Sequence, residues 1–351
     1  MLSPFIKHYL LLLGLCILIL PGPIYSQNQA VILQYHHVST ETPPITSLNP
    51  DAFKGHMNYL KDNGFTVLRL EDVINSLKSD TPLPDKTAVI TFDDGYTSVY
   101  EAAFPLLMEF DWPFTVFVTT GLVGSNNRLY ATWDQLRDMA EHGATLANHT
   151  VTHPYLLNRE TNQSDSDWLT QIRQEIVSAE NTLVEQTGHG HKILAYPYGE
   201  YNSEIQELIQ ELGFTGIGQH SGPLSAKSDF TALPRFPFSG IYASMNTFPT
   251  KVLSLAFDLT EISPENPVTN SPSPETSLVF ADTQEGLSQL TCFNNNERIQ
   301  TVIQTNAERR YLVNTHVENR TRRFRYNCTA PAENGRYYWV SIPWVNPDIK
   351  E

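Results

Sequence analysis

From about residue 30 to residue 260 short apolar runs alternate with amphipathic segments, and this alternation limits the folds open to the chain. Val31-Ile32-Leu33-Gln34-Tyr35, Phe65 to Leu68, 87–92, Phe114 to Val118, Ala144 to Ala147, 192–196 and 214–218 read as strands. Between them, 51–62, Glu71 to Leu77, about 98–109, 166–187 and 202–212 read as helices, and Thr132-Trp133-Asp134-Gln135 as a capped helix start. Asn63-Gly64 closes the first of these helices. Repeated strand–helix units imply a parallel sheet, open or closed into a barrel.

The pattern breaks at 262–277, "ISPENPVTNSPSPETS", which is rich in Pro, Ser and Asn, has no apolar period and reads as a linker. Beyond it "SLVFA", "SQLTCF", "RIQTVIQT", "RRYLVNTHV", "RRFRYNCT" and "GRYYWVSIPW" are β-like runs separated by turn residues. The expected organisation is an α/β domain over 27–261, the linker, and a small all-β C-terminal domain over 278–351. A length of 351 residues suits one large domain and one small one.

The first 26 residues read as an export signal. Lys7 and His8 precede an apolar run from Tyr9 to Leu20, Pro21-Gly22-Pro23 breaks it, and Ile24-Tyr25-Ser26 offers a small residue for cleavage. The run is short for a membrane span. Cys16 lacks the small residue before it that lipid attachment would want, because Leu15 stands there. The mature chain has no second long apolar segment, so it is expected to be soluble, without a transmembrane segment, and periplasmic or secreted. It keeps two cysteines, Cys292 and Cys328, and an even count in an exported chain predicts one disulfide stapling the C-terminal part. A net charge of −15 provides no basic footprint for nucleic acid and disfavours an anionic polymer as substrate.

Three predicted strand ends carry unusual residues, and parallel α/β folds place their chemistry at such ends. Strand 87–92 runs into Asp93-Asp94-Gly95; Ala144 to Ala147 runs into "NHTVTH", with His149 and His153 four apart; strand 192–196 ends in Pro197-Tyr198-Gly199. The two histidines face one way if that stretch takes a helical turn. Taken singly, these are an ordinary turn or helix cap, a surface His pair and another turn. Together, one aspartate and two histidines form a three-ligand set for a divalent cation with an open position. Imidazole and carboxylate suit zinc, with cobalt, nickel and manganese as alternatives. A cation there would account for two adjacent carboxylates at a strand end: it holds one ionised and lowers the pKa of the other, which can act as a base. Such a site can activate water and polarise a carbonyl, as acyl hydrolysis requires.

These residues resemble the polysaccharide deacetylases of carbohydrate esterase family four. The family's first motif stands unchanged as Thr91-Phe92-Asp93-Asp94-Gly95, its second as His149-Thr150-Val151-Thr152-His153, and its third in part as Ala195-Tyr196-Pro197-Tyr198-Gly199. The resemblance spans roughly 31–240, and "QYHHV" at 34–38 with "YPYG" is most similar to the branch that deacetylates the biofilm polymer poly-N-acetylglucosamine. It implies a distorted (β/α) barrel with fewer than eight regular strands. It implies Asp94, His149 and His153 as metal ligands, Asp93 as general base, and the Tyr198 backbone N–H as an oxyanion donor. The implied reaction is hydrolysis of the acetamide of N-acetylglucosamine units in a polysaccharide, releasing acetate.

The chain departs from the family pattern twice. The third motif's arginine, which orients the base, is replaced by Ala195, and Arg235 in "LPRFPF" is the candidate substitute. The late Leu-x-His motif carrying the general acid is absent after 240, and His220 in "GIGQHSG" is the nearest candidate. His36 and His37 follow the first strand; His37, Pro197 and Tyr198 are candidates for substrate contact, with a packing role as the alternative for the histidines. Trp112 and Trp133, and the set Tyr337, Tyr338, Trp339 and Trp344, could stack on sugar rings or form core. Peptidoglycan, chitin oligomers and O-acetyl esters remain alternative targets, and a glycan-binding protein on a decayed enzyme scaffold is the alternative of another class. Protein partners are not legible.

Overall fold

The computed structural model describes residues 28–125, 127–294, 297–305 and 309–351. The expected export signal, with Cys16, lies outside the described residues. Among those described, no helix is long and apolar enough to cross a membrane.

The first sheet has nine strands. Its parallel series runs Gln29–Tyr35, Thr87–Phe92, Phe114–Val118, Ala144–Asn148, Ile193–Ala195 and Thr215–Ile217. Leu224–Ser225 pairs antiparallel with Gln29–Tyr35, and Thr66–Val67 lies parallel beside Thr87–Phe92. The central strands are buried along their whole length, as an apolar parallel sheet covered on both faces must be. The sheet curls, and one short piece of chain stitches its edges together. Leu233 bridges Ile217, while Phe236–Pro237 pairs parallel with Leu33–Gln34. Arg235 sits inside that stitch. The result is a distorted (β/α) barrel in which several strands have only two or three residues.

Helices form where the sequence provides caps and a stripe. Pro50–Asp62 starts at Asn49, whose side chain accepts from Ala52 N, and buries Phe53, His56, Met57 and Leu60. Trp133–Glu141 opens on the expected capping box of Thr132 and Gln135. Asp165–Thr187 is capped by Ser164 and stops at Gly188 in the left-handed region.

The second sheet has eight strands in the order Leu255–Ala256, Tyr337–Val345, Arg323–Pro331, Thr291–Asn294, Glu297–Thr305, Arg310–Asn314, Thr276–Phe280 and Leu259–Ser263. All six β-like runs beyond residue 277 form strands. Arg323–Pro331 alternates, with Phe324, Tyr326, Cys328 and Ala330 in the core and Arg323, Arg325, Asn327 and Thr329 on the other face. Cys292 and Cys328 stand opposite each other on neighbouring strands and form the expected disulfide.

The expectation of a linker at 262–277 is corrected. Ile262 and Ser263 end one strand, and Thr276 and Ser277 begin another. The stretch between them is tied to the sheet: Val345 N donates to Pro267 O, Thr269 N to Val345 O, Asn319 N to Pro272 O and the Tyr326 hydroxyl to Pro274 O. Prolines lack donors but keep their carbonyls, so a Pro-rich segment can be held by accepting. The C-terminal aromatics do not form one platform. Trp344 is core, Tyr338 packs on Phe257, and Trp339 makes a T-shaped contact with Phe236 of the barrel. Trp112 and Trp133 pack against the barrel core.

Candidate metal centre and active site

Asp93 and Asp94 leave the buried strand Thr87–Phe92 in different ways. Asp93 N donates to Tyr35 O, continuing the ladder, whereas Asp94 (φ 71°) and Gly95 (φ 77°) lie in the left-handed region. Asp tolerates that conformation and Gly favours it. The turn parts the two carboxylates: that of Asp93 meets Arg235, and that of Asp94 meets two histidines.

His149 follows the strand Ala144–Asn148, and His153 reaches the same point by a bend; a helical turn, the other way to bring the two together, does not form. Thr150 (φ 65°) and His153 (φ 58°) both lie in the left-handed region, a genuine outlier for a β-branched threonine. Hydrogen bonds hold the bend: Thr150 N donates to Asn148 Oδ1 at 2.9 Å, and His153 N donates to Thr150 Oγ1 at 3.1 Å. Val151 N and Thr152 N both donate to Glu175 Oε2, and the Thr152 hydroxyl donates to Glu175 Oε1. Glu175 is a brace the sequence did not reveal, since a glutamate on a long helix reads as solvated face.

The donor set fits a divalent cation. His149 Nδ1 lies 2.8 Å from the carbonyl of Ala195, which can only accept, so Nδ1 carries the hydrogen. In the neutral ring Nε2 then holds a bare lone pair. This buried nitrogen has no hydrogen-bond partner, although it lies 3.3 Å from Asp94 Oδ1. His153 Nε2 is also 3.3 Å from that oxygen, and one ligand atom from each of the three residues lies within 4.8 Å of the others. Acceptors converging on acceptors call for a positive charge between them. Burial pushes His149 down, but the carboxylates of Asp94 and Asp93 outweigh it and hold its pKa above the ordinary value. A metal ion that displaces the proton answers the same field. Burial, then the neighbouring His149, pushes His153 down to about 4, leaving its imidazole free to ligate. Burial works against ionisation of Asp94, and the imidazoles more than reverse it, so its carboxyl is held well below the usual range.

Asp93 sits in a different cradle. Arg235 Nη1 donates to its Oδ1 at 2.7 Å and Arg235 Nη2 to its Oδ2 at 2.9 Å, with both residues fully buried. The fork is itself fixed by Nε donating to Gly218 O and by Cζ lying 5.2 Å from the Phe117 ring centre. Gln34 Nε2 donates to Asp93 Oδ2 at 2.7 Å, a contact with no signal in the sequence beyond a polar residue in an apolar strand. Burial opposes the charge on Asp93, and Arg235, with His149 and His36, overcomes it and holds the pKa low. Arg235 thus makes a two-pronged contact with the Asp93 carboxylate, while Ala195 offers no polar group. The Ala195 methyl packs with Ile32, Val89, Phe117 and Leu233.

The remaining candidates separate. Tyr198 (φ 59°) follows buried Pro197, and its ring meets His153 edge-on at 4.5 Å and stacks on Tyr155 at 3.9 Å. Burial and then Tyr155 push its hydroxyl up to about 12. His37 is packed away: it stacks on Tyr96 at 3.5 Å, and burial, then His36, lowers it to about 4. His36 is the member of the pair that reaches the centre, with Nε2 3.8 Å from Asp93 Oδ2. His220 does not join the metal-ligand group. Its Nδ1 is enclosed against Gly218, its ring centre lies 6.5 Å from that of Tyr201, and it lines a cleft of about 580 Å³ between the two sheets. Burial, then Arg325 and Arg235, lowers its pKa to about 3, so it is a poor proton donor near neutral pH.

Comparisons with known proteins point to one family. Residues 80–217 match the family model described as polysaccharide deacetylase. The chain is 30% identical over 205 residues to Bacillus subtilis (strain 168) YxkH, which is named for the polysaccharide deacetylases, covering 58% of this chain and 69% of that one. It is 24% identical over 246 residues to the poly-beta-1,6-N-acetyl-D-glucosamine N-deacetylase of Escherichia coli (strain K12), covering 60% of this chain but only 37% of that protein. Among solved structures, the Streptococcus pyogenes deacetylase PplD in complex with acetate superposes with a TM-score of 0.55 at 28% identity, covering 61% of this chain and 94% of that one. With its motifs, barrel and converging ligand set in place, the chain belongs to the polysaccharide deacetylase family.

Proposed function

We propose that this protein is an exported, metal-dependent hydrolase that removes N-acetyl groups from N-acetylglucosamine units of a polysaccharide, with the β-1,6-linked polymer as the favoured substrate. The observation that carries the reading is the division of labour between adjacent aspartates. Asp94 faces two imidazole nitrogens, and Asp93 faces a guanidinium. The name of the Escherichia coli relative supports the linkage, and the acetate held by the Streptococcus pyogenes relative supports an acetyl group as the acyl part transferred to water.

Asp94, His149 and His153 would hold the cation, zinc first and cobalt, nickel or manganese as alternatives. When bound, a cation there supplies Lewis-acid polarisation of the acyl oxygen and lowers the pKa of a water. The rest falls to the chain's own residues. Asp93 is the general base, taking a proton from the attacking water, and Arg235 and Gln34 keep its carboxylate turned to that task. The Tyr198 backbone N–H is the donor for the oxygen that becomes negative as the carbonyl carbon turns tetrahedral. His36, whose Nε2 lies 3.8 Å from Asp93 Oδ2, is the proton donor to the departing amine, in place of His220. The carbon–nitrogen bond then breaks to give acetate and a free glucosamine amine. The Tyr198–Tyr155 ring pair, stacked beside His153, is the candidate for contact with the sugar, while Pro197 is buried behind it.

Acetate release from β-1,6- and β-1,4-linked N-acetylglucosamine oligomers by protein spanning 27–351 tests the reading. Faster release from the β-1,6 series, abolished by chelator and restored by metal, is expected. Release only from O-acetyl esters or from peptidoglycan would overturn the substrate assignment.

A further inference from the structure

The second sheet reaches the catalytic face through Arg322, just before the strand Arg323–Pro331. Its guanidinium is nearly enclosed and all its donors are used. Nε donates to Glu200 Oε1 at 2.6 Å and Nη2 to Glu200 Oε2 at 2.8 Å, while Nη2 also donates to Asn158 Oδ1 at 2.9 Å. Nη1 donates to the carbonyls of Pro347 and Ile349. Glu200 is fully buried and Arg322 is 3% exposed.

The partners are significant for where they lie. Glu200 immediately follows Tyr198 and Gly199, two consecutive left-handed residues (φ 59° and 72°), and its N–H closes their turn on Pro197 O. A non-glycine residue in that region persists only when its surroundings over-determine it. Asn158 lies on the segment that continues from His153 through Tyr155. Arg322 passes 4.9 Å from the Tyr155 ring centre, and its neighbour Arg323 lies 5.0 Å from that of Tyr198. Arg325, on the same face as Arg323, donates to Gln219 O, beside the chain that carries Arg235. The start of the strand Arg323–Pro331, with the residue before it, thus touches the loops that deliver His153, Tyr198 and Arg235.

We propose that Arg322 is a positioning residue of the active site: by gripping Glu200 and Asn158 at once it fixes the Tyr198 backbone N–H relative to His153. The second sheet is then part of the catalytic apparatus. The proposal rests on the reading of Tyr198 as the oxyanion donor. A donor that strengthens its bond only as the oxyanion forms affects kcat and leaves KM unchanged. Displacement by about 1 Å can cost on the order of 10²-fold in rate.

The test compares wild type, Arg322→Lys, the apolar pair Arg322→Met with Glu200→Leu, and Asp93→Asn. The apolar pair avoids stranding a buried charge, so it is the variant expected to fold. Its kcat on N-acetylglucosamine oligomers should fall about 10- to 100-fold with KM and bound metal unchanged. Amide hydrogen exchange should rise in 196–201 and 150–158 and stay unchanged in Tyr337–Val345. Arg322→Lys, a point charge without the fork, should recover only part of the rate. Wild-type kcat and unchanged exchange at 196–201 in the apolar pair, with Asp93→Asn inactive, would overturn the proposal and leave the site reading intact. So would a rate loss accompanied by faster exchange throughout the second sheet, the mark of a merely structural role. A fully active Asp93→Asn would bring down the site reading and the proposal with it.

Discussion

At its C-terminal strand ends the first sheet encloses two carboxylates, an arginine and two histidines. The second sheet brings together Cys292, Cys328, Tyr326, Trp344 and other apolar side chains, with a disulfide where the first has an ion pair. Both regions are closely enclosed, but they respond differently to loss of a partner. An apolar contact removed leaves a gap, whereas a partner removed from a buried charge leaves that charge unpaired. The first region holds together only as a complete set, and the unpartnered Nε2 of His149 beside Asp94 and His153 is compatible with a cation as its missing member. Its cost is accounted for by chemistry, since a buried ion pair is weak evidence for stability. The second region is built to hold shape, and Arg322 carries that rigidity to the site.

This contrast can be broken most sharply at Arg235. Arg235→Met should leave Asp93 buried and unpaired, destabilising the barrel by about 3–5 kcal/mol and abolishing most activity. Denaturant unfolding followed by barrel tryptophans would check it; an unchanged midpoint would refute the account of the fork. Next comes the disulfide, which spans a sequence separation of 36. Its reduction should cost about 2–4 kcal/mol, confined to the second sheet. Exchange mass spectrometry with and without reductant would reveal equal loosening of the barrel if the two regions are not so divided.

A third effect depends on pH. His56, fully buried, lies between the Tyr35 hydroxyl and the carbonyl of Ala243, and burial lowers its pKa from the ordinary 6.5 to about 4. The unfolded chain therefore binds the extra proton first as pH falls. The contribution of neutral His56 is complete above pH 6.5 and is lost between 6.5 and 4, up to about 3 kcal/mol. Urea midpoints of wild type and His56→Gln should converge across that window, and a constant gap would contradict the assignment. The smallest effect is expected at the surface. Arg173→Ala, which breaks the exposed pair with Glu211, should change stability by no more than about 1 kcal/mol, since exposed charges retain their water.

The parallel strands were legible because apolar runs of strand length recur between amphipathic ones, and the site was legible because its residues follow directly on those runs. Asp94, His149 and His153 converge, and Arg235 meets Asp93, as the motif spacing and the lone arginine suggested. What stayed hidden depends on geometry that composition does not encode. His36 and His37 are adjacent and chemically identical, and only the turn after Tyr35 sends one to Asp93 and the other under Tyr96. Gln34 acts on a neighbour 59 residues away and Glu175 on neighbours 24 and 23 residues away, with no local sign of it. The segment 262–277 lacks an apolar period because its prolines and polar residues dock through carbonyls. His220 stood in the right kind of loop, but its ring turns toward the cleft between the sheets.

The most direct test is metal content measured beside acetate release in Asp93→Asn and Asp94→Asn. The account predicts that Asp94→Asn loses both, while Asp93→Asn keeps about one equivalent of metal and loses the reaction, because ligation and proton transfer are divided between the two carboxylates. An Asp93→Asn enzyme that releases acetate at the wild-type rate, or that is as empty of metal as Asp94→Asn, would contradict that division.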